Sequence, residues 1–130
     1  NLKKYSDRNV IIYGNKDNNA AWKLLLKNSL IQVSNNEVNF NGKKITGKQW
    51  GMYFIVPRSD SSIASIGVVT ATGMTGAKAA YMNHYLVNGT TFPDVLLFDN
   101  QALTNGSSFV KCAGFFGNDW SIEHGEFEWN

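Results

Sequence analysis

The residues with the clearest capacity for chemistry are Thr70, Thr72 and Thr75, set among Gly73 and Gly76. Ser65-Ile66-Gly67-Val68-Val69-Thr70-Ala71 reads as a strand buried on both faces, and Ala77-Lys78-Ala79-Ala80-Tyr81-Met82 reads as helix. A strand, a small-residue loop and a helix in that order aim backbone N–H groups and a positive helix end beyond the carboxyl edge of a sheet. That is chemistry for holding an anion. The same edge is expected to receive Gly14 and Asn15 from an earlier strand, and Asp99 and Asn118 from two later ones. Gly14, Asn15, Thr72, Gly73, Thr75, Gly76, Asp99 and Asn118 thus form a candidate ligand site for an anion, nucleotide or carbohydrate.

Other chemistries find less to build on. A serine hydrolase elbow needs Gly-x-Ser-x-Gly on a strand-to-helix turn, and no such pentad occurs. His84 is expected inside a helix and His124 in the tail, so no catalytic residue is assigned and the chain alone reads as non-catalytic. Two histidines and one cysteine give no metal-ligand spacing, and no metal or cofactor is implied. Cys112 lies in the apolar run Val110–Phe116 and reads as a buried, inert thiol. Thr70-Ala71-Thr72-Gly73-Met74-Thr75 resembles the phosphate loop of flavodoxins, which would imply a flavin mononucleotide binder. Flavodoxins carry that loop after their first strand, whereas several strands precede it here.

The elements that must position these residues follow from hydrophobic pattern. Asn9–Tyr13, Ile31–Val33, Met52–Val56, Asp94–Phe98 and Val110–Phe116 read as strands. Between the first two, a helix through Trp22 to Lys27, capped by Asp17 or Asn18, places Ala21, Trp22, Leu25 and Leu26 on one face and Lys23 with Lys27 on another. Asn41-Gly42 between two short alternating runs predicts a β-hairpin near residues 36–46. A helix over about 77–87 and a helical turn at Ala102–Gly106 complete the reading, with the tail Ser121–Asn130 as an edge. Near-continuous apolar strands alternating with helices predict an α/β fold: a three-layer, Rossmann-like sandwich with a mostly parallel sheet.

Composition bounds the answer. One domain of 130 residues with a hydrophobic fraction of 43%, four Trp, five Tyr and eight Phe argues for a packed core and against disorder. No run approaches the length needed to span a bilayer. The net charge of +2 conceals a balance of +7 over residues 1–58 and −5 over residues 59–130, and the two halves are expected to lie together and largely cancel. Lys43, Lys44 and Lys48 beside Trp50 are read as a soluble edge, with no nucleic-acid partner. The amino terminus lacks an initiating Met and a signal-peptide pattern, so the chain is expected to be part of a longer protein.

Four blocks carry a wider resemblance: Arg8–Asn15, Ala21–Leu25, Tyr53–Arg58 and Ala113–Ser121, the last containing Gly-Phe-Phe-Gly-Asn-Asp-Trp. Over nearly the whole chain they resemble the C-terminal end of large bacterial proteins of the prolyl oligopeptidase type, α/β-hydrolases described as peptidases or esterases. The resemblance implies a secreted or periplasmic protein whose Ser, Asp and His lie in an upstream hydrolase domain, the partner of this module. It implies a scaffold or interface role here, or a part in a homo-oligomer, and supplies no catalytic residue to this chain.

Overall fold

The computed structural model describes residues 2–82, 93–101 and 110–130. After a turn of 3-10 helix at Leu2–Tyr5 come β1 (Val10–Tyr13), α1 (Ala20–Leu25), β2 (Ile31–Ser34), β3 (Glu37–Phe40), β4 (Lys43–Thr46), β5 (Trp50–Pro57), β6 (Ser65–Ala71), α2 (Met74–Met82), β7 (Val95–Asp99), β8 (Val110–Phe115) and β9 (Glu126–Trp129). Six strands form one sheet in the order β1-β6-β5-β7-β8-β9, and β2-β3-β4 form a second.

The mostly parallel, Rossmann-like sandwich expected from the sequence is not the fold. Among the described residues only β1 and β6 pair in parallel; β5–β6, β5–β7, β7–β8 and β8–β9 are all antiparallel. The small sheet is antiparallel throughout. β2 leaves the main sheet, so β1, α1 and β2 do not close a strand–helix–strand unit. Among the described residues strand content exceeds helix content, 43% against 15%, and the fold they form is predominantly β. The hairpin at Asn41-Gly42 forms β3 and β4, with φ of 50° and 96° at its two central residues, the left-handed pair a two-residue turn requires.

The central strands β5 and β6 are apolar on both faces because the sheet is covered on both there. On one side α1 and the small sheet enclose Trp22, Leu26, Ile31, Val38, Met52, Phe54, Ile66 and Val68. On the other, α2 brings Ala79 and Ala80 against Tyr53, Val69 and Phe98. β5 supplies both cores through its period of two: Met52 and Phe54 face α1, and Tyr53 faces α2, where its hydroxyl donates to the Ala80 carbonyl at 2.7 Å. The capping residue of α1 is Asn19 rather than Asp17 or Asn18; its Oδ1 accepts the Ala21 N–H at 2.9 Å. Asp17 instead accepts the Asn35 N–H, and Asn18 the Asn15 N–H. The helix after β6 begins at Met74, earlier than expected, and its expected continuation beyond Met82 lies outside the described residues, as does the turn at Ala102–Gly106.

The start of α2 presses directly on the entry to β5. A Cβ on Gly76 would overlap the Trp50 carbonyl oxygen, and one on Gly73 would lie 2.8 Å from Lys48 Cβ. Gly76→Ala is therefore expected to destabilise the fold by roughly 1–3 kcal/mol, as overpacking does. Denaturant unfolding of the variant measures this; an unchanged midpoint would show that α2 does not bear on Trp50.

Candidate functional site

The parallel pairing of β1 with β6 brings Gly14, Asn15, Thr72, Gly73, Thr75 and Gly76 to one edge of the sheet, and β7 delivers Asp99 to the same edge. Asn118 does not join them. It follows β8, which runs antiparallel to β7, so it lies at the opposite edge.

At the shared edge much of the polar capacity is turned inward. Asn15, 1% exposed, donates through Nδ2 to the Ala71 carbonyl at 3.0 Å and to Asn35 Oδ1 at 2.9 Å, and its Oδ1 accepts the Asp17 N–H. The Gly14 N–H donates to the Val69 carbonyl. The Thr72 N–H donates to the Trp50 carbonyl at 3.0 Å, and its hydroxyl accepts the Trp50 N–H at 3.2 Å. The Gly76 N–H donates to the Lys48 carbonyl at 3.3 Å, while Asp99 accepts the Gln101 N–H. Thr75 is exposed on the first turn of α2. The small residues here let a helix and a strand entry pack closely.

The opposite edge holds an open apolar groove of about 330 Å³. One wall is the end of α1 and the turn into β2, with Leu24 and Leu30; another is the end of β5 at Val56; Phe116 and Trp120 close it. Lys23 and Lys27 line it as well, and no acidic residue does among the described residues. Leu24 is 70% exposed and Leu30 45%, large apolar side chains left in water at one place. Gln32 steadies this turn by donating through Nε2 to the Leu26 carbonyl at 2.7 Å and the Ser29 carbonyl at 2.9 Å.

The aromatic wall is fixed from the other side. Asp94 accepts the Phe116 N–H at 3.1 Å, which places Asp94 and the loop after β8 at one edge. The Phe116 and Trp120 rings lie 5.9 Å apart. Asp119 then ties the loop into a knot: it accepts the Ser121 hydroxyl at 2.6 Å, the Ser121 N–H at 3.1 Å, and contacts His124 Nδ1 at 2.8 Å. The Ser121 hydroxyl oxygen in turn accepts the His124 N–H. These are the residue types of a catalytic triad in the wrong order. Catalysis needs histidine between serine and carboxylate. Here the carboxylate sits between them, so the serine proton is held by the Asp119 carboxylate and the His124 ring nitrogen faces Asp119 rather than the hydroxyl.

Hydrogen bonds from Ser121 and His124 hold the Asp119 carboxyl well below the usual carboxylate range. Cys112 is fully buried and its thiol is pushed up to about 11, chiefly by burial, so it is no thiolate nucleophile near neutral pH. Among the described residues no group of three His, Cys, Asp or Glu is placed to hold a metal ion, and no helix is long and apolar enough to cross a membrane. His84 lies outside the described residues. Of the basic cluster, Lys43 sits 3.9 Å over the Trp129 ring and the Trp50 indole N–H donates to the Thr46 carbonyl. No family model, curated protein or solved structure matches the chain.

Sequence reasoning passed over Leu24, Leu30 and Trp120. One signal was present: Leu24 falls beside Lys23 on the wet side of α1, an apolar residue with no core to enter.

A carboxyl with a depressed pKa stabilises the folded loop above its unfolded value, about 3.9, and that stabilisation is lost as pH falls through the lower folded value. Asp119→Asn is therefore expected to lower Tm at pH 7. The gap to the unsubstituted chain should narrow as the pH is taken below about 4. Calorimetry across that range measures it, and a gap independent of pH would remove Asp119 from its role.

Proposed function

We propose that this chain is a non-catalytic binding module whose working surface is the groove between α1 and the loop after β8, taking an apolar ligand that carries negative charge. The groove itself carries the reading. Its volume falls at the small end of ligand sites, its walls are apolar, and among the described residues its charged lining is two lysines. The carboxyl edge around Thr72 and Gly76 supports a ligand less well, because several of its donors are engaged within the chain.

The four blocks that resemble prolyl-oligopeptidase-type proteins extend the proposal. On that reading the module serves a secreted or periplasmic bacterial serine hydrolase as scaffold or interface, with the reacting residues in an upstream domain. The inverted order of Ser121, Asp119 and His124 agrees with chemistry being done elsewhere.

Anilinonaphthalene sulfonate, a ring system bearing one sulfonate, matches the groove and reports binding by fluorescence. Leu30→Asp should weaken it at least tenfold, about 1.4 kcal/mol. Lys23→Gln with Lys27→Gln should weaken it less and flatten its dependence on salt. Hydrolysis of p-nitrophenyl acetate should stay at background. Dye that binds Leu30→Asp undiminished, or an esterase rate lost on Ser121→Ala, would overturn the proposal.

A further inference from the structure

Trp120 has φ of 62°, inside the left-handed region. That region is unfavourable for any residue with a Cβ and worst for a bulky one. Glycine would meet no such penalty. The surrounding loop over-determines the conformation. The Trp120 N–H donates to the Gly117 carbonyl at 2.9 Å and the Gly117 N–H to the Ser121 carbonyl at 3.0 Å, closing both sides of the residue. Asp119, immediately before it, is held by Ser121 and His124. Strain so fixed leaves the side chain only partly covered: Trp120 is 42% exposed, with its ring beside Phe116 at the groove.

A groove meant for a flexible aliphatic chain needs only aliphatic walls, which Leu24, Leu30 and Val56 already supply. An indole held at the mouth adds a flat, partly open face, and flat faces discriminate in favour of other rings. We infer that Trp120 is the specificity-determining residue of the groove, and that the ligand class is a ring-bearing organic anion, an aromatic carboxylate or sulfonate, in preference to a straight-chain fatty acid. The ring lies against Trp120 and Phe116, and the acidic group is turned toward Lys23 and Lys27. The inference rests on the groove being the binding site, and its test separates the two.

Titration calorimetry with anilinonaphthalene sulfonate and with decanoate would be run on the chain itself, Trp120→Gly and Leu30→Asp. Trp120→Gly relieves the backbone strain, so its Tm should be unchanged or higher, which excludes unfolding as the cause of lost binding. Its affinity for the ring ligand should fall about three- to tenfold, the worth of an aromatic contact, while decanoate binding should change less than about twofold. Leu30→Asp should weaken both ligands. Equal losses for both ligands in Trp120→Gly, or none for the ring ligand while Leu30→Asp still weakens both, would overturn the role of Trp120 and leave the groove standing. Binding of both ligands unaffected by either substitution would remove the groove as the site, and the inference with it.

Discussion

Everything in this domain hangs on β5 being buried on both faces. Its neighbours β6 and β7 run antiparallel to it, and its side chains alternate into two separate cores. Phe54 meets Trp22 edge-on at 6.1 Å and so seats α1; Tyr53 reaches the Ala80 carbonyl and seats α2. Its two ends define the two functional edges of the sheet. Trp50 is where the Thr72–Gly76 loop is docked, and Val56 is a wall of the groove.

That double burial also explains how the sequence misled. A strand covered on both sides is continuously apolar whichever way its neighbours run, so the pattern of Met52–Val56 or Val95–Phe98 carries no direction. Direction was legible elsewhere, in connection lengths. Only residues 58–64 join β5 to β6, too few for the crossover of a dozen or more that a parallel pair demands. The same reasoning applies to α1, whose six residues cannot cover a sheet alone; the small sheet completes that layer. Where local chemistry decides the backbone, reading succeeded: Asn41 and Gly42 accept left-handed conformations that few residues tolerate, and the hairpin follows.

The sites divide along the same line. Gly14, Asn15, Thr72 and Gly76 lie at one edge because strand ends followed by polar turns mark an edge, yet which hydrogen bonds the loop residues make depends on Lys48 and Trp50 arriving opposite them. Asn118 lies at the opposite edge because β8 runs antiparallel to β7, a direction its apolar pattern does not carry. Trp120 was beyond reach of pattern altogether. Its left-handed backbone is imposed by a carboxylate, a hydroxyl and an imidazole meeting within six residues, and spacing alone does not say that Asp119 sits between the other two.

The uneven charge of the two halves finds its physical meaning at the groove. Among the described residues no lysine pairs with a carboxylate; Arg58 does so with Asp60, deep against the carbonyls of Tyr5 and Arg8. Arg58 apart, the basic residues described are thus not paired with the acidic half, and Lys23 and Lys27 line the mouth of an apolar cleft. Exposed charges of this kind contribute little to affinity, about 0–1 kcal/mol for a pair in water. Burying an apolar ring contributes more, at about 25 cal/mol per Å² removed from water. The lysines therefore act mainly on approach and orientation, drawing in an anion and setting which end points outward. Leu24, Leu30, Phe116 and Trp120 decide how long it stays.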